Sequence, residues 1–311
     1  MKMTAKELNI FAAHIRKAAL RSMNAFHGGH VGGSMSMAEV MAVLYGEAMK
    51  IDPRNPQWEE RDWLVVSKGH CGPAVYATFA GRRVVDQVYI SAAYAKLNVR
   101  MFGCDAGVTA SYNGGTHMPI EDMGLMRTIT EVTLIEPTDS VMLADLMRQT
   151  KDMYGVFYFR TTRKVTDQIF EEGSTFEIGK AALLREGSDV TLITSGYCTP
   201  DTMAAADALA GEGISARVLN IFTWKPIDQE AIATAARETG AIVTVENHNI
   251  VTGLGSAVAE VLGDTCPVPL HRIGVPDRFG EVGSIDYLKG LFGMTQGDIV
   301  RAAKSVLTRK K

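Results

Sequence analysis

Short apolar runs that alternate with helix-period stretches along most of the chain limit its fold more than any other feature. Leu97–Phe102, Val132–Glu136 and Gly155–Arg160 are β-branched, aromatic or apolar runs, and so are Asp189–Ser195, Ala216–Ile221, Ala241–Val245 and Leu270–Gly274. Residues 200–210, 228–238, 255–262 and 296–308 read as helices between or after the second set. A strand, helix, strand order needs crossovers that lay strands parallel and put helices on the sheet faces, so the fold class is α/β. Upstream, Thr4 is placed to cap a helix over 4–25, whose stripe is Leu8, Phe11, Ala12, Ile15, Ala18 and Ala19. Ser36 is placed to cap a second helix over Met37–Met49, and Trp63–Ser67 reads as a buried strand. A charged, glycine-containing linker over Asp167–Thr175 separates the two strand sets.

Open α/β sheets bind small molecules in the loops after the carboxyl ends of their strands. Three glycine–histidine loops stand at strand or helix ends. The first, 26–36, holds Gly28, Gly29, Gly32 and Gly33 around His30. The second follows Ser67 and holds Gly69, His70 and Gly72. The third follows Phe102, holds Gly103, Gly107, Gly114 and Gly115, and ends at His117. Glycine allows sharp turns and close backbone approach, and imidazole exchanges protons near neutral pH or donates to a polar substrate. Each loop alone is also consistent with a plain connection. Arg160, at a strand end beside Arg163 and Lys164, could grip a phosphate bidentately or simply be an exposed strand-end arginine. His14 and His271 fall inside regular elements and read as structural, and His248, read as a loop residue, is weighed the same way.

Bulk properties exclude other classes. The net charge of −3 gives no electrostatic case for nucleic acid or an anionic membrane. No apolar run approaches the roughly 18 residues a bilayer span needs. The amino-terminal residues lack the apolar core of a signal peptide, so cytoplasm is the expected location. Cys71, Cys104, Cys198 and Cys266 show no C-x-x-C spacing, which argues against a zinc site or a disulfide framework. There is no G-x-S-x-G elbow for a serine hydrolase.

The residues themselves carry a resemblance. Phe26-His-Gly-Gly-His-Val-Gly-Gly-Ser-Met-Ser36 and Asp62-Trp-Leu-Val-Val-Ser-Lys-Gly-His-Cys-Gly-Pro-Ala74 are similar to the opening of the transketolase family. From Gly81, the run Arg82–Val99, then Asp105-Ala-Gly-Val-Thr-Ala-Ser-Tyr-Asn-Gly-Gly-Thr-His-Met-Pro-Ile-Glu-Asp122, Ile135–Met142 and Phe157–Lys164 resemble the later part of that family's pyrimidine-binding domain. Glu246-Asn-His248 with Gly253-Leu-Gly-Ser256 resembles its carboxy-terminal domain. The resemblance implies a transketolase-like thiamine-diphosphate-binding fold. It would be built from the start of the pyrophosphate-binding domain (1–80), the second half of the pyrimidine-binding domain (81–172) and an α/β transketolase C-terminal domain (173–311).

It also implies a function, the transfer of a two-carbon ketol unit from a ketose phosphate to an aldose phosphate. The cofactors would be thiamine diphosphate with Mg2+ or another divalent metal, and the assembly a homodimer. By resemblance, His30 and His70 sit near the thiazolium and donor sugar, His117 and Asn113 contact the donor, and Arg160 holds its phosphate. Asn113 stands where many relatives carry aspartate, and Cys104 where they often carry histidine. The family's Gly-Asp-Gly metal run and its Glu-Gln-Asn-Met segment are nowhere in the sequence, and its pyrimidine-stacking aromatics are missing before Arg82. Near Ala80–Gly81 the chain passes from an early piece of one domain to a late piece of another. An internal segment lacking between those residues, a deletion, and one part of a split enzyme are the competing accounts, although a split would not join these two pieces. The alternative function is accordingly a non-catalytic, regulatory or oligomer-joining member of the family.

Overall fold

The computed structural model describes residues 3–25, 35, 37–50, 52, 55, 58, 60–62, 65–66, 85–162 and 164–310. Its strands are β1 (Val65–Val66), β2 (Val99–Gly103), β3 (Val132–Ile135), β4 (Val156–Arg160), β5 (Ala182–Arg185), β6 (Val190–Thr194), β7 (Ala216–Asn220), β8 (Thr223–Lys225), β9 (Ile242–Asn249) and β10 (Leu270–Val275). They form two sheets, ordered β1-β2-β4-β3-β8 and β10-β9-β6-β7-β5. Within each sheet the strands run parallel except one edge, β8 against β3 and β5 against β7. Both central strands, Val-Phe-Tyr-Phe-Arg in β4 and Val-Thr-Leu-Ile-Thr in β6, are buried throughout, as a sheet covered on both faces requires.

The expected helices at 200–210, 228–238, 255–262 and 296–308 are present as Thr199–Gly211, Gln229–Thr239, Leu254–Asp264 and Gln296–Leu307. The first helix, Ala5–Ala25, begins on a reciprocal cap: Thr4 Oγ1 accepts from the Glu7 amide at 3.3 Å, and Glu7 Oε2 accepts from the Thr4 amide at 2.8 Å. The expected single helix over 37–49 departs from that reading. It is α-helical over Ala38–Val43 and widens to a π-helix over Leu44–Ala48. There Gly46 lets the chain press on the first helix, and a Cβ would meet Met3 Sδ at 2.7 Å. Ser36, its expected cap, lies outside the described residues.

Sheet membership crosses the limits expected at 80/81 and 172/173. β1, from the first segment, is the edge partner of β2, and β8, from the last segment, closes the other edge against β3. The sheets also share one core, in which Met101, Val132, Leu134, Val156 and Tyr158 meet Ile193, Leu219, Trp224 and Val258. Each such side chain contributes roughly 1.5–3 kcal/mol by leaving water. This common core packs β2, β3 and β4 against the second sheet. No helix among the described residues is long and apolar enough to cross a membrane.

Candidate active site

β2 runs out at Gly103 into a loop that makes two 3-10 turns, Gly107–Asn113 and Gly115–His117, before the helix Asp122–Arg127. The turns lift Asn113 and His117 to the carboxyl edge of the first sheet. His117 is exposed, with Thr116 Oγ1 at 2.9 Å from its Nδ1. Asn113 is half-buried, and its Nδ2 makes no hydrogen bond among the described residues. Cys104 is half-buried below them and accepts from Thr161 Oγ1 at 3.4 Å.

A buried charge network underlies this loop. The Arg160 Nε donates to both Asp122 carboxylate oxygens at 3.0 Å, and Nη1 donates to Glu136 Oε1 at 2.5 Å. Nη2 donates to the carbonyls of Pro119 at 2.8 Å and Asn247 at 2.9 Å. Tyr158 Oη completes Asp122 at 2.8 Å, and it can reach there only because residue 103 is glycine: a Cβ would sit 1.9 Å from that hydroxyl. Ser195 Oγ donates to the second oxygen of Glu136 and accepts from Trp224 Nε1 at 3.0 Å. Burial alone would raise the Asp122 carboxyl, but Arg160 and the hydrogen bonds from Arg160 and Tyr158 hold it below the usual carboxylate value. Burial pulls Arg160 down, and the carboxylates of Asp122 and Glu136 outweigh that and keep it charged.

This geometry corrects the expectation for Arg160. Its side chain is fully buried and its donors already point at two carboxylates and two carbonyls, so it is a brace under the loop and is not placed to grip a phosphate. His248 also departs from its reading as a loop residue. It lies in β9, buried, with Nε2 accepting from the Gly124 amide at 3.2 Å and Nδ1 donating to the Asn249 carbonyl at 2.8 Å. Burial, followed by the charge of Arg160, pushes its imidazole down to about 4. Next to it, Glu246 accepts from the Leu254 and Gly255 amides at 2.7 and 2.9 Å, at the start of the helix Leu254–Asp264. Burial outweighs these bonds and raises its carboxyl to about 8.

Of the other expected site residues, Asn113 and His117 share one loop, while His30 and His70 lie outside the described residues, as do Arg163 and the 80/81 junction. Sequence reasoning missed Asp122, Glu136, Ser195 and Asn247 as parts of the site. Glu136 was legible only as the acidic end of an apolar run, and Asp122 only as the last residue of the glycine–histidine stretch that carries the resemblance.

Family models match the chain in three pieces: "Transketolase, thiamine diphosphate binding domain" over 8–81, "Transketolase, pyrimidine binding domain" over 70–168, and "Transketolase, C-terminal domain" over 179–299. A 6-deoxy-6-sulfo-D-fructose transketolase subunit of Clostridium sp. (strain MSTE9) is 52% identical over 235 residues, 76% of this chain and 73% of that protein. The chain belongs to the transketolase family. A putative transketolase C-terminal section from Methanocaldococcus jannaschii is 37% identical over 229 residues, 73% of this chain and 72% of that one. Among solved structures, a split gene transketolase described as an inactive beta4 tetramer superposes with a TM-score of 0.68 at 37% identity, covering 74% of this chain and 73% of that one.

The cofactor named by the first family model can be tested against the residues. Its diphosphate needs a divalent metal with oxygen ligands. Among the described residues no group of three or more His, Cys, Asp or Glu is placed to hold a metal. The buried carboxylates of Asp122, Glu136 and Glu246 are engaged by Arg160, Ser195 and helix amides. The described residues supply no ligand set for the metal–diphosphate end of thiamine diphosphate, and His30 and His70, assigned to the cofactor by resemblance, lie outside them.

Proposed function

We propose that this chain is the sugar-facing component of a transketolase-type reaction, the transfer of a two-carbon ketol unit from a ketose phosphate to an aldose phosphate. The observation that supports it is the loop 104–121, which holds the exposed imidazole of His117 on a turn backed by a buried charge brace. His117 hydrogen-bonds the donor's hydroxyl or carbonyl, and Asn113, on the same loop, is assigned to the donor by resemblance. Asn113 cannot accept and hold a proton as an aspartate would, so it orients the sugar without acting as a base. His30 and His70 are assigned by resemblance to the thiazolium side. The ligands for the diphosphate and its Mg2+ come from another chain of the assembly, in keeping with relatives described as a transketolase subunit and a split gene transketolase. Within that assembly this chain pairs with itself as a homodimer, which light scattering of the chain alone would distinguish from a monomer or tetramer.

The second reading is a non-catalytic member of the family, favoured by the lack of a Gly-Asp-Gly run and by the engagement of the Glu136 and Glu246 carboxylates within the fold. Coupled turnover of a ketose and an aldose phosphate separates the two. The chain, with thiamine diphosphate and Mg2+, is assayed alone and mixed with the thiamine-diphosphate-domain chain of a split-gene transketolase. The mixture should turn over, and His117→Ala should lower its rate by roughly 100-fold or more. No turnover in the mixture supports the non-catalytic reading, whereas turnover with His117→Ala at the wild-type rate removes His117 from the sugar site.

A further inference from the structure

The loop that carries Asn113 and His117 leaves the first sheet, yet it is fastened to the second. Its apolar residues Val108, Ala110, Met118 and Ile120 are buried in the core of the carboxy-terminal unit with Val275, Leu288 and Phe292. Its base is gripped by β9. Asn247 Oδ1 accepts from the Val108 amide at 2.8 Å, Asn247 Nδ2 donates to the Ala106 carbonyl at 2.8 Å, and the Asn249 amide donates to the Ile120 carbonyl at 2.6 Å. Gly107, at φ +49, allows this approach, since a Cβ there would meet Asn247 Oδ1 at 2.0 Å.

The tip is held by a different segment. Ser111 has φ 52 and ψ −121, a backbone region that residues with a Cβ enter only at an energetic cost and keep only when their surroundings impose it. Its buried hydroxyl donates to the Gly283 carbonyl at 2.9 Å. Four residues on, two backbones touch: a Cβ on Gly115 would lie 2.3 Å from the Gly280 carbonyl oxygen, and one on Gly280 would lie 3.1 Å from Gly115 Cα. Gly114, at φ +76, packs against the Val282 side chain, whose Cγ2 a Cβ would meet at 2.8 Å. Asn113 and His117 thus project from a turn whose shape is impressed on it by residues 280–283.

We propose that Ser111, Gly280 and Gly283 are positioning residues for the sugar-facing turn, so that the carboxy-terminal unit sets the geometry of Asn113 and His117. The Ser111–Gly283 bond holds the strained turn, and the Gly115–Gly280 contact fixes its height above the first sheet. A bulkier residue at 280 would push the His117 turn outward without touching a sugar. The inference rests on the reading of His117 as sugar-facing, and its test does not use turnover.

The full chain is compared as wild type, Ser111→Ala, Ser111→Gly and Gly280→Val by amide hydrogen exchange and by the ring resonances of His117. Ser111→Ala keeps the strained conformation but removes the bond that holds it, so exchange across 111–118 should rise roughly fivefold to tenfold. The amides of β2, β4 and β6 should keep their rates, and the His117 ring signals should shift. Ser111→Gly should exchange more slowly than Ser111→Ala, because glycine accepts this backbone geometry without cost. Gly280→Val should shift the same His117 signals, and if it fails to fold, the two Ser111 variants decide. Unchanged exchange and unchanged His117 signals in Ser111→Ala overturn the proposal. A uniform rise across both sheets does so too, since that is the mark of general destabilisation. A chain that never transfers a ketol unit would defeat the functional reading and leave these measurements interpretable.

Discussion

Arg160→Met should lower the free energy of unfolding by about 3–5 kcal/mol, the cost of leaving buried charge without its partner. The guanidinium is the only cation against the fully buried Asp122 and Glu136 carboxylates among their described ion pairs, apart from the neutral His248 at 4.0 Å. Methionine has similar length and no charge. It would strand both acids and also withdraw donors from the carbonyls of Pro119 and Asn247. Because those carbonyls belong to the loop and to β9, the loss should loosen the loop from β9. Urea denaturation at pH 7 measures it. The combined variant Arg160→Met, Asp122→Asn, Glu136→Gln should recover much of the stability, since it removes the stranded charges along with the cation. A loss below about 1 kcal/mol in the single variant would put Arg160 among ordinary exposed ion pairs and reopen its role as a phosphate ligand.

Arg160 also shows why some of the site was legible in the sequence and some was not. Local pattern revealed an arginine at the end of an apolar run, and phosphate binding is a reasonable use for an arginine there. Its partners sit at 122, 136 and 247, and no periodicity links a strand-end arginine to acids that far away. The same limit misplaced β9. Alternation breaks at Glu246-Asn-His248, so the run was read as ending at Val245, yet all three residues are buried in the strand. They remain in it because each finds backbone partners from another part of the chain: Glu246 the amides of a helix start, Asn247 the edges of the site loop, His248 the amide of Gly124. β8 has only three residues and β5 is half-exposed, so neither carries enough apolar pattern to be found. By contrast, the central strands and the 3.6-period helices were legible because their signal is their own composition. The glycine–histidine loop at 103–117 was legible for a related reason. Its glycines are required by close contacts with Tyr158, Asn247 and Gly280, and a cluster of glycines marks such contacts even when the partners are unknown.

The second large effect expected is a loss of stability on acidification that belongs to His248. Folded, its imidazole is pushed down to about 4, and unfolded it returns to the ordinary value near 6.5. The geometry agrees with the direction. Nε2 accepts from the Gly124 amide and Nδ1 already donates to Asn249, so a second proton would set one donor against another. Between pH 6.5 and 4 the unfolded chain takes up a proton that the folded chain refuses, so stability is retained above 6.5 and falls as pH drops towards 4. The difference of roughly 2.5 units corresponds to about 3 kcal/mol. Asp122 acts in the same sense at lower pH. Its folded value is depressed, so its contribution is present above the unfolded carboxylate value and fades as pH falls through the folded one. Glu246 acts in the opposite sense. Its carboxyl is raised to about 8, so the folded chain holds an extra proton between about 4.5 and 8, and stability declines across that window as pH rises. The two curves overlap, which makes the wild-type profile alone ambiguous. Comparison with His248→Gln resolves it, because Asp122 and Glu246 are present in both proteins. Glutamine can still accept from Gly124 but does not titrate. Wild type should therefore lose about 3 kcal/mol relative to the variant between pH 6.5 and 4, with a constant difference above pH 7. A difference that stays flat across the whole range would mean that the folded chain accommodates the imidazolium, and that the Gly124 contact does not hold His248 neutral.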